Sequence, residues 1–202
     1  ASATFGRPIP YAGTVLPGKT THVIFSFNNG GVLYFNDMRK FGYIKVVKTD
    51  EVEKLKVMTE FGPEPLTPDL TLEKFKEILL KKKMPVKLVL MDQAIIAGVG
   101  NIYANEALFL AGIDPQRSAK SLSPKEQSKL FEALEQVLKE GIKYGGSSEN
   151  AYVNALGEFG QMQKHFRVYG RSGKPCLNNC GGVIHRMTLG GRGTFFCPEC
   201  QK

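Results

Sequence analysis

All four cysteines of this 202-residue chain fall in its last 27 residues, as Cys176-x3-Cys180, sixteen intervening residues, then Cys197-x2-Cys200. Two short cysteine spacings joined by a hairpin-length segment have the form of two knuckles closing on one tetrahedral ion. No other feature constrains the chain as tightly, because it forces residues 176–200 to fold back around a single point. Zn²⁺ suits four thiolates, and a site closed by four protein ligands is structural, with no position left for a catalytic water. Metal binding then supplies much of the folding free energy of so small a unit. Disulfide pairing is the alternative reading, and a reducing compartment disfavours it.

That compartment is expected to be the cytoplasm. No run approaches the roughly 18 apolar residues of a membrane span, so no membrane association is expected, and the opening Ala1-Ser-Ala-Thr-Phe-Gly lacks the basic start and apolar core of a secretory signal. With 42% hydrophobic residues the chain can bury a sizeable core in one or two domains. The formal net charge of +8 favours a polyanionic partner, although a solvated basic surface has the same signature. Its distribution is more informative. Residues 164–202 hold seven Lys or Arg (Lys164, Arg167, Arg171, Lys174, Arg186, Arg192 and Lys202) against one acid, Glu199.

Upstream, residues 22–27 and 31–35 are rich in Val, Ile, Phe and Tyr, and Asn28-Asn29-Gly30-Gly31 between them predicts a β-hairpin turn. A further strand is expected over 43–47, giving part of an antiparallel sheet with open edges. From Thr71 the period becomes helical, with Leu72, Phe75 and Leu79 on one face, Lys81-Lys82-Lys83 closing the segment and Pro85 breaking it. Residues 86–96 read as a short buried helix. Gly98-Val-Gly100 forces a turn, and Asn101 is placed to cap a helix running to about Leu110. Ser123-Pro124-Lys125-Glu126 has the form of a capping box, followed on one face by Leu130, Leu134, Val137, Leu138 and Ile142. Gly145-Gly146 ends that helix, and the polar stretch 147–160 reads as a loop.

Between the cysteine pairs, Leu189-Gly-Gly-Arg192-Gly-Thr-Phe-Phe-Cys197 would let a glycine-rich hairpin tip approach a partner while presenting one guanidinium. Arg suits phosphate through its planar, permanently charged fork, and a solvated turn arginine is the bland alternative.

The motifs Gly98-Val-Gly-Asn-Ile-Tyr-Ala-Asn-Glu106, Phe166-Arg-Val-Tyr-Gly-Arg171 and the finger from Arg192 to Gln201 resemble the formamidopyrimidine-DNA glycosylase family, which includes the endonuclease VIII enzymes. Asp37-x-Arg39-x-Phe41-Gly42 and Phe61-Gly-Pro-Glu-Pro65 match in the same order, so the resemblance runs from about His22 to the C-terminus. It implies an α+β multidomain fold: part of an antiparallel β-sandwich over 1–66, a helix–two-turn–helix domain with a lesion-covering loop over 67–160, and a zinc finger over 161–202. It also implies one structural Zn²⁺ on Cys176, Cys180, Cys197 and Cys200, and a protein that, at full length, binds damaged double-stranded DNA as a monomer.

The resemblance carries roles to individual positions. Asn101 would hold a DNA phosphate at a helix N-terminus. Arg39 would fill the space left by an extruded nucleotide and contact the orphaned cytosine, while Phe41 wedges into the base stack. Lys82 aligns with a DNA-contacting lysine and Lys87 with a lysine near the lesion; for both, a solvated side chain is the bland reading. Arg192 aligns with the finger arginine that grips phosphates beside the lesion and is linked to elimination. The implied activity is base excision: removal of oxidised purines such as 8-oxoguanine and formamidopyrimidines, then cleavage of the abasic site by β,δ-elimination.

The match departs in three places. The family's N-terminal proline nucleophile, the adjoining glutamate and a lysine of the sandwich have no counterpart here, since Ala1-Ser2 does not stand for Pro-Glu and Pro8 and Pro10 are internal. The first knuckle is C-x3-C rather than C-x2-C, and Thr20 occupies the position of a DNA-contacting histidine. The chain is accordingly expected to be the DNA-gripping part of a bifunctional glycosylase and lyase, inactive alone; a nonenzymatic DNA-binding or damage-sensing paralogue is the alternative.

Overall fold

The computed structural model describes residues 2–5 through their backbone, and residues 16–55, 59–147 and 159–202 in full. The chain divides into two compact units, Ala1–Lys48 with Gly141–His165, and Thr49–Glu140 with Phe166–Lys202.

The first unit is built on a three-stranded antiparallel sheet in the order β1-β3-β2, with β1 at Ser2–Phe5, β2 at Thr21–Ser26 and β3 at Val32–Asn36. Residues of β2 alternate between half-buried and exposed, as expected of a strand with one covered face. The hairpin between β2 and β3 closes through Phe27 N–H on the Gly31 carbonyl at 2.9 Å, with Gly30 at φ +81°. That is the backbone freedom the Asn-Asn-Gly-Gly sequence promised. The opening segment, for which no role was legible, supplies β1, paired to β3 from Ser2↔Asn36 to Phe5↔Leu33.

The strand expected over 43–47 does not form. Residues 41–48 have no regular structure, and Val46 is 91% exposed. Aromatic and β-branched residues make a strand only where a neighbour completes the ladder, and residues 43–47 pair with none of the strands of the sheet β1-β3-β2.

The second unit holds the helices and the cysteine hairpin. α1 spans Leu72–Leu80, capped by the Thr71 hydroxyl accepting the Lys74 N–H. α2 is Val86–Met91, shorter than the 86–96 expected, because from Asp92 onward the backbone turns and the Asp92 carboxylate takes the Ala94 N–H at 3.0 Å. α3 spans Asn101–Ala111 and ends on Gly112 in the left-handed conformation, φ +70°. α4, Pro124–Lys143, begins with the reciprocal capping box: Glu126 Oε2 accepts the Ser123 N–H at 2.7 Å, and Ser123 Oγ faces the Glu126 N–H at 3.4 Å.

These helices enclose one core that includes Phe75, Leu79, Val89, Leu90, Leu108, Leu130 and Leu134. Ile142, expected on the same apolar face of α4, is 74% exposed, since the helix outruns the core that covers its earlier turns. Of the 147–160 loop, residues 148–158 lie outside the described residues. Its neck is closed by Gln161 N–H on the Tyr144 carbonyl and Met162 N–H on the Gly146 carbonyl. A side chain at Gly160 would strike the Gly146 carbonyl there.

The finger is a hairpin of β4, His185–Leu189, and β5, Arg192–Phe196, in register Leu189↔Arg192. Gly190 and Gly191, φ +57° and +72°, make the two-residue turn that the right-handed twist of a hairpin requires. Its small core of Val168, Cys176, Ile184 and Cys197 is completed by Phe109, a residue of α3. The finger therefore borrows part of its interior from the helical region.

Candidate nucleic-acid interface

The four cysteine Sγ atoms lie within 4.8 Å of one another, with Cys176–Cys200 and Cys180–Cys197 both at 3.6 Å. Four thiolates on one tetrahedral Zn²⁺ at about 2.3 Å sit roughly 3.8 Å apart, whereas a disulfide needs about 2.05 Å. All four cysteines are free, so the geometry selects the metal over disulfides. Gln201 fastens this corner to the helices: its Oε1 accepts the Cys197 N–H at 2.9 Å, and its Nε2 donates to the Ile113 carbonyl at 2.9 Å.

The glycine turn before α3 is held from below by Gln93, whose Oε1 accepts the Gly98 N–H and whose Nε2 donates to the Val99 carbonyl, both at 2.9 Å. Phe61-Gly62-Pro63 packs beneath it, with the Gly62 N–H on the Gln93 carbonyl and the Ala97 N–H on the Pro63 carbonyl. Asn101 does not cap its helix. Gly100 is the N-cap residue, no side chain caps the first turn, and those N–H groups stay available to an anion. The Asn101 side chain instead reaches the finger, Nδ2 donating to the Gly193 carbonyl at 3.1 Å. One turn on, Asn105 Nδ2 donates to the Asn101 carbonyl at 2.6 Å, and its Oδ1 accepts the Phe195 N–H at 2.7 Å.

Lys87 is fully buried rather than solvated, its amine donating to Thr194 Oγ1 at 2.6 Å and to the Gly193 carbonyl at 3.2 Å. Burial, helped by the nearby Arg192 charge, lowers its pKa to about 8. Arg192 itself is exposed at the start of β5. Lys82 is half-buried just past α1, where its carbonyl accepts the Lys120 N–H.

Glu106, the fully buried carboxylate of α3, receives the N–H groups of Arg167, Val168 and Tyr169 at 2.8–2.9 Å. Burial raises its pKa, against the pull of those donors and of the Arg167 guanidinium. It ties the Gly98–Glu106 motif to the Phe166–Arg171 motif. Asn105 and Glu106 both lie in the Gly98–Glu106 motif, and a carboxylate followed by Ala, Leu and Phe is the sequence signal that marks Glu106.

In the first unit, Asp37 organises the loop after β3. Its carboxylate accepts the Gly42 and Arg39 N–H groups, which lower its pKa, that of Gly42 most, and its carbonyl meets His22 Nε2 at 2.9 Å. The loop has Lys40 at φ +56° and no room for a side chain at Gly42, where one would meet Phe35 and the Asp37 carboxylate. It presents Phe41, 76% exposed, with the Arg39 guanidinium 4.8 Å from the ring centroid. Thr20 is half-buried, and its carbonyl takes the Asp37 N–H at 2.9 Å.

A closed four-thiolate hairpin locked onto an uncapped helix that follows a glycine turn defines a zinc-finger, helix–two-turn–helix protein of the nucleic-acid-binding class. Residues 61–152 match the family model described as the formamidopyrimidine-DNA glycosylase H2TH domain, and residues 173–202 match the zinc finger found in FPG and IleRS. A formamidopyrimidine-DNA glycosylase of Listeria innocua is 45% identical over 184 residues, 91% of this chain and 67% of the relative. One from Desulfitobacterium hafniense is 44% identical over 196 residues, 97% of this chain and 71% of the relative. Among solved structures, the Lactococcus lactis Fpg in complex with DNA containing an abasic site aligns over 100% of this chain and 71% of its own, at 35% identity and a TM-score of 0.84. The MutM (Fpg) protein of Thermus thermophilus aligns over 100% of this chain and 73% of its own, at 37% identity and the same TM-score. The chain belongs to the formamidopyrimidine-DNA glycosylase family, and its cysteine cluster is that family's structural zinc site.

Proposed function

We propose that this chain acts in DNA base-excision repair as the DNA-gripping part of a bifunctional formamidopyrimidine-DNA glycosylase and abasic-site lyase. Its substrate class is duplex DNA carrying oxidised purines, 8-oxoguanine and formamidopyrimidines, with β,δ-elimination at the resulting abasic site. The observation that carries this reading is the junction of finger and helix, where Asn101, Asn105 and Lys87 all hold the β5 backbone beside Arg192. One cation and one set of free helix N–H groups are thereby brought to bear on phosphate.

In this reading Asn101, Lys82 and Arg192 hold the DNA backbone, with Lys87 behind Arg192, and Arg192 also takes part in the elimination. Arg39 and Phe41 enter the base stack. The three functional segments are 1–66, 67–160 and 161–202, and the protein works as a monomer in the cytoplasm, associated with the nucleoid through DNA. No helix of the described residues is long and apolar enough to cross a membrane.

The test is equilibrium binding of the zinc-loaded chain to a duplex holding a stable abasic-site analogue, against matched undamaged duplex and RNA. Preference for the abasic duplex is expected, and Arg192→Ala should lower the slope of log affinity against log salt by about 0.9, the signature of one lost phosphate contact. Equal binding to all three nucleic acids, or an unchanged slope, sinks the reading.

A further inference from the structure

Beneath Arg192 runs a relay of hydrogen bonds that begins in the helical region and ends on Arg192's own backbone. The Lys87 amine donates to Thr194 Oγ1 at 2.6 Å, and the Thr194 hydroxyl donates to the Arg192 carbonyl at 3.2 Å. A hydroxyl has one proton to give and two lone pairs to receive, so it can serve both partners at once. The adjacent Gly193 carbonyl is gripped from two sides, by Lys87 Nζ at 3.2 Å and Asn101 Nδ2 at 3.1 Å. Thr194 and Lys87 are both fully buried, and at the tip a side chain on Gly190 would overlap Leu88 of α2. The hairpin is thus seated against α2 with no slack, and two consecutive carbonyls at the root of the arginine are fixed.

We propose that Thr194 and Lys87 are positioning residues for Arg192: they set the direction of its guanidinium through the Arg192 and Gly193 carbonyls and do not themselves touch DNA. The proposal rests on the reading of Arg192 as a phosphate-gripping group. A lysine spent on direct phosphate contact would present its amine to solvent. This one is enclosed, with its donors aimed at the finger, and its burial beside a second cation is tolerated only because oxygen acceptors surround it.

The relay separates from a direct-contact role because Thr194 carries no charge. In the full zinc-loaded chain, Thr194→Val keeps the side-chain shape but removes the hydroxyl, Thr194→Ser keeps the hydroxyl, and Lys87→Met removes the amine. Binding to the abasic-analogue duplex should weaken about tenfold in Thr194→Val and Lys87→Met, the usual cost of a hydrogen bond to a charged group. It should persist in Thr194→Ser, with one zinc per chain throughout. In an Arg192→Ala background, Thr194→Val should have no further effect, since there is no guanidinium left to aim. Wild-type binding by Thr194→Val, or a full additional loss in the Arg192→Ala background, overturns the proposal.

A DNA-free measurement keeps the two readings distinct. Amide exchange at Gly191 and Gly193 should accelerate in Thr194→Val with zinc retained. If the wild-type chain fails to bind abasic DNA but this acceleration is seen, the DNA reading falls while the positioning of the hairpin root stands. Unchanged exchange removes the positioning role itself.

Discussion

Glu106 accepts the backbone N–H of Arg167 at 2.8 Å, while the guanidinium of Arg167 turns to Glu140 in a two-pronged pair at 2.8 and 2.9 Å. One buried carboxylate on α3 thus anchors the segment that leads into the finger, and α4 holds the same residue by its side chain. Two further N–H groups, of Val168 and Tyr169, end on Glu106, so the acid satisfies three consecutive backbone donors. Glu106→Gln keeps the volume but turns an amide N–H₂ toward one of these donors. The expected loss is about 2–3 kcal/mol of unfolding free energy, within the range for buried hydrogen bonds to a charged group. Denaturant unfolding measures it, and a variant as stable as the wild type would show that the anchor contributes nothing.

The zinc site reaches beyond the finger because Gln201, beside the ligand Cys200, bonds the Ile113 carbonyl at the end of α3. Chelation, or Cys197→Ser, is expected to release one zinc per chain and lower the thermal midpoint. DNA binding should fall with it, since Arg192 stands on the hairpin that the metal closes. Metal stoichiometry followed beside the melting curve decides this: full zinc loss with an unchanged midpoint would make the ion dispensable to the fold.

The finger and the capping box of α4 were legible because each depends on short-range spacing: Cys176-x3-Cys180 and Cys197-x2-Cys200, or Ser123 with Glu126 three residues on. Each pattern carries its geometry with it. The strand expected at 43–47 failed because propensity says nothing about whether a partner strand lies alongside. Asn101 shows the same limit from another side. Its residue type and its place after a glycine turn fit an N-cap, but its partner, the Gly193 carbonyl, lies 92 residues away and could not be read locally. The partner of Lys87, Thr194, likewise lies 107 residues away and is brought to it only by the tertiary fold.

Phe41 separates stability from recognition. At 76% exposure it buries little in the free protein, and the Arg39 guanidinium lies 4.8 Å from its ring centroid. Phe41→Ala should therefore change unfolding free energy by no more than about 0.5 kcal/mol, as surface substitutions do. Binding to abasic-analogue duplex should nevertheless weaken, because an apolar wedge repays part of the cost of unstacking bases. Parallel denaturation and binding titrations test the pair of statements; a variant that binds as well as the wild type removes Phe41 from the interface.

Glu126 sets an acid limit on the helical region. Its carboxylate is paired with the Arg117 guanidinium and receives the Ser123 N–H, and these bonds, that with Arg117 foremost, lower its pKa from the ordinary 4.5 to about 2. Arg117 also donates to the Lys202 carbonyl at 2.8 Å, so the pair joins the start of α4 to the end of the chain. A carboxylate whose pKa is lower folded than unfolded adds stability above the unfolded value. That stability is fully present above about pH 4.5 and is lost as pH falls through about 2. Both partners are partly exposed, so solvent screening leaves about 1 kcal/mol for the pair. Arg117→Met should bring the Glu126 pKa back toward its ordinary value and flatten the wild-type slope of stability against pH between 4.5 and 2. Groups that titrate alike in the two proteins cancel, so the difference between the two curves isolates the pair. Parallel curves across that window would mean that Glu126 draws its low pKa from the α4 cap alone and owes nothing to Arg117.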